Sequence, residues 1–330
     1  MWDASPMSKT TLLAGATAAA VTTAVMPGLV RILRAHNRVD VPNARSSHVV
    51  PTPRGGGVAC VAGITAGLIV VRLSRAQVST KVSVGTAVLT AVGFLDDRFQ
   101  LPAAQRLGAQ AVTGAVVGLA CGGCSTPIVG VVLVPAIVNS FNFMDGINGI
   151  SGGQAAVWSA FAAARLDSIG LFEDAAFAHT MLGASVGFLP WNLPSAKVFL
   201  GDVGSYLFGS VIAFATLDCW SKSKFEAILL GVPYSVYLAD TGWTILRRLS
   251  RGEQLTVAHR EHIYQQLVDL PRVEHWHVSV FVSSLSLLST LAVRKVGLSA
   301  LIPIIVGYLL TPAGVRHLIR AAANSSRFSG

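Results

Sequence analysis

Residues 11–30 read TLLAGATAAAVTTAVMPGLV, a run of twenty residues without a charged side chain. An α-helix needs about 20 apolar residues to cross the roughly 30 Å of hydrocarbon in a bilayer. A signal peptide is the alternative, but the run is long for that role and a basic segment begins directly after it, at Arg31. The stretch therefore predicts a membrane-spanning helix that stays in the protein.

Similar apolar runs recur along the whole chain. Its 330 residues are 52% hydrophobic and only 12% charged, with a mean hydropathy of +0.59, which is more apolar than a water-soluble domain can bury in one core. We expect a single all-α polytopic membrane domain over residues 1–330. About eleven spans are predicted, or ten if two neighbouring runs form one helix, near residues 10–30, 57–71, 82–95, 106–121, 128–144, 153–166, 175–190, 203–219, 226–246, 276–293 and 297–311.

The lysines and arginines in the loops predict the orientation of these spans. If the loop that begins at Arg31 is inside, sixteen of the 25 basic residues lie on that side and nine on the other. Cytoplasmic loops carry such an excess of positive charge. The net charge of +9 therefore indicates a membrane with anionic lipids and phosphate ligands before it indicates nucleic acid.

Two adjacent aspartates end one of the apolar runs. In VGFLDDRFQLP (92–102), Asp96 and Asp97 follow directly on apolar residues at a helix end that is predicted to be cytoplasmic. Ionisable residues near the bilayer are costly unless they line a polar cavity, and neighbouring carboxylates repel one another. A divalent metal or a basic substrate would relieve that repulsion. A solvated helix end is the alternative.

The next polar cluster is NSFNFMDGINGISGG (139–153). Asn142, Asp145 and Asn148 are spaced three residues apart, which places them on one face if the segment is helical. The glycines permit close approach of a ligand to the backbone. A helix-packing motif of small residues would explain the glycines but neither the amides nor the carboxylate. The pattern therefore favours a polar binding wall.

A third cluster, WNLPSAKVFLGDVGS (191–205), contains Asn192, Lys197 and Asp202 between two apolar runs. Proteins usually bind Mg²⁺ through one or two carboxylates together with substrate phosphates. Asp202 is therefore the predicted metal ligand. Lys197 is either part of an anion site or an ordinary charge that sets the membrane topology.

The longest predicted inside loop is RRLSRGEQLTVAHREHIYQQLVDLPR (247–272). It carries His259, Arg260 and His262 but no HExxH motif, so nothing indicates a zinc protease. Two histidines and an arginine suit an anionic ligand. Contact with lipid headgroups is the alternative.

The first predicted inside loop, HNRVDVPNARSSHVVPTPRGGG (36–57), adds Arg45, His48 and Arg54. Its prolines favour an extended backbone. The GGG sequence at 55–57 is weak evidence for phosphate binding by itself. With the arginines beside it, the loop is a candidate to cover a phosphorylated lipid.

In this order the motifs resemble the polyprenyl-phosphate N-acetylhexosamine-1-phosphate transferase family, over about residues 40–267. This family includes undecaprenyl-phosphate N-acetylglucosamine-1-phosphate transferases and phospho-N-acetylmuramoyl-pentapeptide transferases. The resemblance implies an enzyme of the bacterial inner membrane with a cytoplasmic active site. It would move N-acetylhexosamine-1-phosphate from a UDP-sugar to undecaprenyl phosphate and release UMP, which starts a lipid-linked glycan.

The resemblance also implies roles for individual residues. Mg²⁺, with Mn²⁺ as the alternative, would bind Asp202, and Asp96 and Asp97 would be the paired active-site aspartates. Asn142, Asp145 and Asn192 would help form the pocket for the nucleotide-sugar and the metal. His259, Arg260 and His262 would match the family's histidine motif, which contributes to nucleotide-sugar binding. A homodimer is compatible with the family, although no residue pattern indicates one.

The chain departs from the family's pattern at two motifs. Asn148 of DGING stands where many relatives have aspartate, near the expected uracil pocket; asparagine keeps a carbonyl acceptor but loses the charge. AHREHIYQQL resembles the branch that initiates O-antigen or related polysaccharides of the cell envelope. That branch favours a 6-deoxy sugar, such as N-acetylfucosamine or N-acetylquinovosamine, slightly over N-acetylglucosamine, and makes a muramoyl-pentapeptide the least expected substrate.

Two other classes of function stay open. A transporter of an anionic solute would use charges within the membrane, but such folds commonly show internal repeats and a midplane site, whereas the acidic residues here lie at predicted helix ends. A lipid-diphosphate phosphatase would share the carboxylates and Mg²⁺. It would need no UDP-sugar, so release of UMP separates it from the transferase.

Overall fold

The computed structural model describes residues 6–42, 49–255, 257 and 259–327. Arg45 and His48, which are predicted to bind the lipid phosphate, lie outside these residues. The described α-helices are α1 (Pro6–Ala35), α2 (Gly57–Leu73), α3 (Thr80–Phe99), α4 (Ala103–Cys121), α5 (Thr126–Met144), α6 (Ile150–Ser168), α7 (Phe172–Asn192), α8 (Asp202–Lys222), α9 (Lys224–Gly231), α10 (Ser235–Ser250), α11 (Ile263–Val268), α12 (His275–Val296) and α13 (Leu301–Arg327).

The all-α polytopic membrane architecture expected from the sequence is confirmed. Each predicted span coincides with a helix or, for residues 226–246, with a broken pair of helices. Among the described residues, five helices are long and apolar enough to cross a membrane by length and composition. They are Lys9–Ala35, Thr126–Met144, Asp202–Lys222, His275–Val296 and Leu298–His317. The remaining predicted spans are shorter or more polar helices packed among these.

Helix α8 forms the centre of the bundle. Its residues 203–219 are all buried, and α3 and α5 pack along it. Lipid tails are as apolar as these side chains, so close packing must hold such helices together. Gly93 of α3 permits that approach, because a Cβ at this position would clash with the carbonyl oxygen of Asp202. The end of α3 therefore lies against the start of α8.

The predicted span over residues 226–246 is divided in the structure. A 3₁₀ turn, Val232–Tyr234, separates α9 from α10, and Pro233 within it lacks the backbone N–H that a continuous helix would use. Helix α11 then follows in the long loop. This break turns α10 and α11 towards the end of α5.

A small β pair lies at the same end of the bundle. Strands β1 (Val39–Asp40) and β2 (Thr52–Pro53) are antiparallel, and the chain after β2 pairs with residues 199 and 200. Gly55 and Gly56 both donate to the carbonyl oxygen of Phe199, at 3.1 and 2.8 Å. The arginine between β2 and these glycines is thereby placed beside the start of α8.

Candidate active site

A cavity of 1110 Å³ opens at the end of the bundle where α3 and α5 end and α8 begins. It collects polar residues that are far apart in the sequence. The predicted site residues that line it are Arg54, Asp96, Asp97, Asn142, Asp145, Asn192 and Asp202. Four separate sequence motifs therefore meet in one place.

Arg54 joins two carboxylates at the centre of this cavity. Its Nε donates to Oδ1 of Asp97 at 3.0 Å, and its Nη2 donates to Oδ1 of Asp202 at 2.7 Å. Burial lowers the pKa of Arg54, but the charges of Asp202 and Asp97 outweigh burial and hold this pKa above its ordinary value. The guanidinium thus occupies the position between two carboxylates that a cation is expected to fill.

Neighbouring groups fix the orientation of both carboxylates. Asn142 donates from Nδ2 to Oδ1 of Asp202 at 2.8 Å and to Oγ of Ser205 at 2.9 Å. The backbone N–H of Val203, in the first turn of α8, donates to Oδ2 of Asp97 at 2.9 Å. Free N–H groups and the helix dipole both stabilise negative charge at a helix N-terminus. The start of α8 is therefore a favourable place for these aspartates.

Gly201 explains why a glycine precedes Asp202. Its φ is +77°, which side chains rarely tolerate. A Cβ there would also lie 2.9 Å from Oδ2 of Asp97 and 3.1 Å from the backbone of Gly55. The GD turn thus brings three segments closer together than any residue with a side chain would allow.

The two adjacent aspartates have different surroundings. Asp96 is 4% exposed; it accepts from Nη1 of Arg106 and from the backbone N–H of Leu101, both at 2.8 Å. Successive residues on a helix point in different directions, so only one of the pair can face the centre of the cavity. Asp97 faces Arg54, whereas Asp96 fixes the turn between α3 and α4.

Asp145 lies just beyond the end of α5. Water reaches it from the cavity, although protein surrounds the rest of its side chain. Burial raises the pKa of Asp145 to about 6, the charges of Asp202 and Asp97 act in the same direction, and Arg54 acts against them. This carboxylate would be stabilised by any further cation that enters the cavity.

The expectation that Asn142, Asp145 and Asn148 share a helix face is wrong. Helix α5 ends at Met144, and residues 145–149 form a turn that includes Gly149 at a φ of +85°. Asn148 does not line the cavity; its Nδ2 donates to the carbonyl oxygen of Pro194 at 3.1 Å. Gly146 and Gly149 belong to this turn, whereas Gly152 and Gly153 lie in the first turn of α6.

Asn192 connects the second and third motifs. Its Oδ1 accepts from the N–H of Gly149 at 2.5 Å, and its Nδ2 donates to the carbonyl oxygen of Val198 at 3.0 Å. Both ends of the amide are therefore engaged within the protein. Asn192 lines the cavity wall and holds it in shape.

The other predicted binding residues lie outside the lining of the cavity. Lys197 is exposed, with Nζ 5.4 Å from the ring centre of Trp191. Arg260 pairs with Asp269 at 2.7 Å, and the ring of His259 stacks on that of His262 at 5.1 Å. Contact between these residues and a substrate stays a prediction.

Two cavity residues in the AHREHIYQQL motif were not singled out from the sequence. Tyr264 and Gln265 line the wall beside residues 143–147, and the hydroxyl of Tyr264 donates to the carbonyl oxygen of Phe143 at 3.0 Å. They follow His262 directly in AHREHIYQQL. Their position in the motif was the only signal for them in the sequence. The histidines and the arginine of the same motif were predicted to bind the ligand because their side chains can carry positive charge.

An apolar groove of 640 Å³ adjoins the polar cavity. It runs along α2 and α3, from the cavity end to Arg72 and Val78 at the opposite end of these helices. Val58, Phe94 and Val203 line both the groove and the cavity. A molecule with a charged head and a long apolar chain could therefore extend from one into the other.

The donor set of the cavity suits a hard cation. The carboxylates of Asp97, Asp202 and Asp145 offer oxygen ligands of the kind that Mg²⁺ prefers. Within the described part of the chain, no three His, Cys, Asp or Glu side chains form a complete metal cage. A cation here would need further oxygen ligands from a substrate.

Comparison with known proteins agrees with this geometry. Residues 79–219 match the model of glycosyl transferase family 4. Decaprenyl-phosphate N-acetylglucosaminephosphotransferase of Mycobacterium leprae is 29% identical over 305 residues, covering 76% of this chain and 75% of the relative. Probable undecaprenyl-phosphate N-acetylglucosaminyl 1-phosphate transferase of Bacillus subtilis is 27% identical over 266 residues, covering 74% and 73%.

A third relative belongs to the other named branch of the resemblance. Phospho-N-acetylmuramoyl-pentapeptide-transferase of Mycolicibacterium paratuberculosis is 28% identical over 304 residues, covering 72% of this chain and 83% of the relative. The region matched by the family model contains Asp97, Asn142, Asp145 and Asp202, which the cavity brings together. The chain is therefore similar to glycosyl transferase family 4 over residues 79–219 and to these relatives over about three quarters of its length.

Proposed function

We propose that this protein transfers N-acetylhexosamine-1-phosphate from a UDP-sugar to a polyprenyl phosphate and releases UMP. The observation that carries the proposal is the bridge from Arg54 to Asp97 and Asp202 in a polar cavity that adjoins an apolar groove. The names of the relatives, which specify a decaprenyl or undecaprenyl phosphate acceptor, support the same reaction.

The shape of the site supports a lipid acceptor. A polyprenyl phosphate carries its charge at one end of a long hydrocarbon chain. The cavity holds Arg54 for the phosphate, and the groove along α2 and α3 is lined mainly by apolar side chains. We place the phosphate beside Arg54 and the first isoprene units past Phe94 and Val58, where cavity and groove meet.

The chemistry of the acceptor makes a strong general base unnecessary. A phosphate monoester has a second pKa near 6, so it is mostly a dianion at neutral pH. One of its oxygens attacks the phosphorus that carries the sugar. The bond from this phosphorus to the bridging oxygen breaks, and that oxygen leaves as part of UMP. The barrier then comes mainly from bringing two anions together, which cationic groups offset.

Arg54 is the protein's own cation for this task. Arginine binds phosphate oxygens through two parallel hydrogen bonds in the same way as it binds carboxylates. In the proposed reaction, Arg54 exchanges one of its bonds to Asp97 or Asp202 for a phosphate oxygen of the acceptor. The aspartates keep the guanidinium in place before the lipid arrives.

We assign Mg²⁺, with Mn²⁺ as the alternative, to Asp202 with help from Asp97. When bound, the ion would supply positive charge to the diphosphate and the leaving UMP. Mg²⁺ normally takes one or two carboxylates and completes its shell with water and substrate phosphates. That preference fits a cavity whose described residues provide carboxylates but no complete cage.

We assign Asp97, and not Asp96, to the reacting groups. Asp97 contacts Arg54, whereas both oxygens of Asp96 are occupied by Arg106 and Leu101. Asp97 therefore positions the cation and the lipid phosphate, or removes a residual proton from the acceptor. Asp96 acts as a structural residue at the end of α3.

The finer parts of the proposal come from the resemblance. They are a 6-deoxy-N-acetylhexosamine or N-acetylglucosamine as the sugar, initiation of an O-antigen or related glycan, and a site on the cytoplasmic face of a bacterial inner membrane. The excess of basic residues on the loops at the site end supports that orientation.

The test is release of UMP by purified protein in detergent. Undecaprenyl phosphate, Mg²⁺ and a panel of UDP-N-acetyl-sugars are supplied, with Asp202→Ala as the control. UMP that requires lipid, metal and Asp202 would establish the reaction and its sugar together. Inorganic phosphate released from a lipid diphosphate without any UDP-sugar would indicate a phosphatase instead, and no reaction by folded protein would favour transport.

A further inference from the structure

Asp240 is a fully buried carboxylate in α10 that has no place in the reaction described above. It gathers hydrogen bonds from several elements. Oδ1 accepts from Nδ1 of His262 at 2.9 Å, from the N–H of Ile263 at 3.0 Å and from Oγ1 of Thr244 at 3.4 Å, and Oδ2 accepts from the N–H of Tyr264 at 3.1 Å and from the hydroxyl of Tyr308 at 2.6 Å. A buried carboxylate with so many donors is a fixed point of the structure.

This fixed point holds the N-terminus of α11. The helix has only six residues, and so short a helix is not stable by itself in water. Its first N–H groups have no partners within the helix, and Asp240 accepts from two of them. The charge also suits the positive end of the helix dipole. The position of α11 therefore depends on Asp240.

Helix α11 presents two residues to the cavity. Tyr264 and Gln265 form what we call the α11 wall, beside residues 143–147 and Asp145. Oε1 of Gln265 accepts from the N–H of His262 at 3.2 Å. Tyr264 is only 1% exposed, so the side-chain amide of Gln265, which is 8% exposed, is the polar group of the wall that a ligand would meet first.

The location of this wall indicates which substrate it meets. The groove that suits the lipid chain joins the cavity at Val58, Phe94 and Val203, and neither residue of the α11 wall lines that groove. A side-chain amide suits a partner with hydrogen-bonding groups. The nucleoside and sugar parts of the donor have such groups, and a polyprenyl chain does not.

We propose that Asp240 and Tyr308 are positioning residues that hold the α11 wall for the nucleotide-sugar. Tyr308 comes from α13, in a segment apolar enough to span the membrane and far outside the part that matches the family model. Its hydroxyl ties this last helix to the carboxylate beneath the wall. The proposal rests on the proposed transferase reaction.

The decisive variant is Tyr308→Phe, which removes one hydrogen bond to Asp240 and keeps the ring. Tyr234→Phe is the matched control, because that hydroxyl also donates from a buried ring, to the carbonyl oxygen of Ile137 at 3.0 Å, but touches neither Asp240 nor the cavity. Asp240→Asn and Asp240→Ala form a second pair, in which asparagine keeps one acceptor for α11 and alanine keeps none.

Steady-state release of UMP is measured while the UDP-sugar and the lipid phosphate are varied separately. We expect Tyr308→Phe to raise the KM for the UDP-sugar roughly three- to tenfold, the effect of one net hydrogen bond, with the KM for the lipid unchanged. Asp240→Ala should raise it further, Asp240→Asn should recover part of the loss, and Tyr234→Phe should change neither KM. Equal effects on both substrates, or none, would overturn the proposal.

Hydrogen exchange of the amides of Ile263 and Tyr264 provides a readout that needs no turnover. We expect faster exchange in Tyr308→Phe and Asp240→Ala than in Tyr234→Phe. If exchange is faster in these two variants but the wild type releases no UMP, then Asp240 and Tyr308 hold α11 and the proposed reaction is wrong. If exchange is unchanged and the wild type releases UMP, then only the proposed role of Asp240 and Tyr308 is wrong.

Discussion

Two clusters of charge lie at opposite ends of α8, and they are built differently. At the start of α8, Arg54 pairs with both Asp97 and Asp202, and these three residues and Asp145 line an open cavity. The other cluster, at the end of α8, pairs two acids with two lysines: Lys81 and Lys222 contact Asp218 at 2.5 and 3.0 Å, and Lys222 lies 3.8 Å from Asp174.

The comparison favours the cluster at the start of α8 as the active site. Two acids and two bases neutralise each other, and none of these four residues lines the cavity or the groove. At the start of α8, the acids Asp97, Asp145 and Asp202 outnumber Arg54, which pairs with two of them, and the open cavity allows a further cation to reach these carboxylates. Unbalanced charge with room beside it is typical of a functional site, whereas balanced buried charge is typical of a structural ion pair.

The strongest test of this comparison changes one aspartate in each cluster. Asp202→Asn should lower kcat at least about a hundredfold, because the proposed Mg²⁺ loses its main ligand and Arg54 loses a charged partner. Asp218→Asn should keep both KM values and kcat near wild type while lowering the unfolding temperature, because Lys81 and Lys222 lose the carboxylate with which they pair. UMP release and thermal unfolding in detergent measure the two effects. Wild-type turnover in Asp202→Asn would show that the cluster at the start of α8 is no more important for the reaction than the cluster at its end.

A second test separates the adjacent aspartates. Asp97→Asn should lower kcat about tenfold to a hundredfold, because Arg54 and the cation lose a ligand. Asp96→Asn should cost about 1–3 kcal/mol of stability, since Arg106 is left partly buried without its charge partner, with turnover largely retained. Initial rates at saturating substrate and unfolding temperatures should both be recorded. A larger loss of turnover in Asp96→Asn than in Asp97→Asn would show that Asp96, and not Asp97, acts on the reacting groups.

Asp145 provides a test that depends on pH. Its pKa in the folded protein is about 6, above the value of about 3.8 expected when unfolded. Without divalent cations, the folded state should therefore lose stability as the pH rises from about 4 to 6, because the unfolded state ionises first. Asp145→Asn should remove that loss, which we expect to be about 1–3 kcal/mol because water reaches the side chain.

Thermal unfolding with a chelator present measures this difference across the pH range. The stability of Asp145→Asn relative to wild type should increase up to about pH 6 and then stay constant. Added Mg²⁺ should reduce the difference by stabilising the ionised carboxylate in the wild type. A difference that does not vary with pH would mean that solvent screens Asp145 completely.

The smallest expected effect concerns the apolar groove beside the cavity. Ala87 lines the apolar groove, and Ala87→Phe should fill part of it. We expect the KM for undecaprenyl phosphate to rise about threefold to tenfold, the effect of losing contact with one or two isoprene units. A lipid phosphate too short to reach Ala87 should be unaffected. Val88→Phe is the control, since Val88 is exposed on the same helix outside the groove.

Much of the fold could be predicted because its causes are local. Apolar runs of about twenty residues require helices in a bilayer, so the positions of the spans followed from composition alone. The break at Pro233 and the turn after Met144 were missed, although each has a local cause in proline or glycine. A pattern spaced by three residues looks helical even where glycines end the helix.

The sequence by itself determined the membrane class, the order of the helices and the motifs whose acidic residues line the cavity. The tertiary structure alone decided that Arg54 meets partners 43 and 148 residues away, that Asp97 pairs with Arg54 while Asp96 pairs with Arg106, and that Tyr308 reaches Asp240. The physical reason is range. Apolar length and turn chemistry act within a helix, whereas the direction of a side chain and the approach of two helices depend on packing between distant segments.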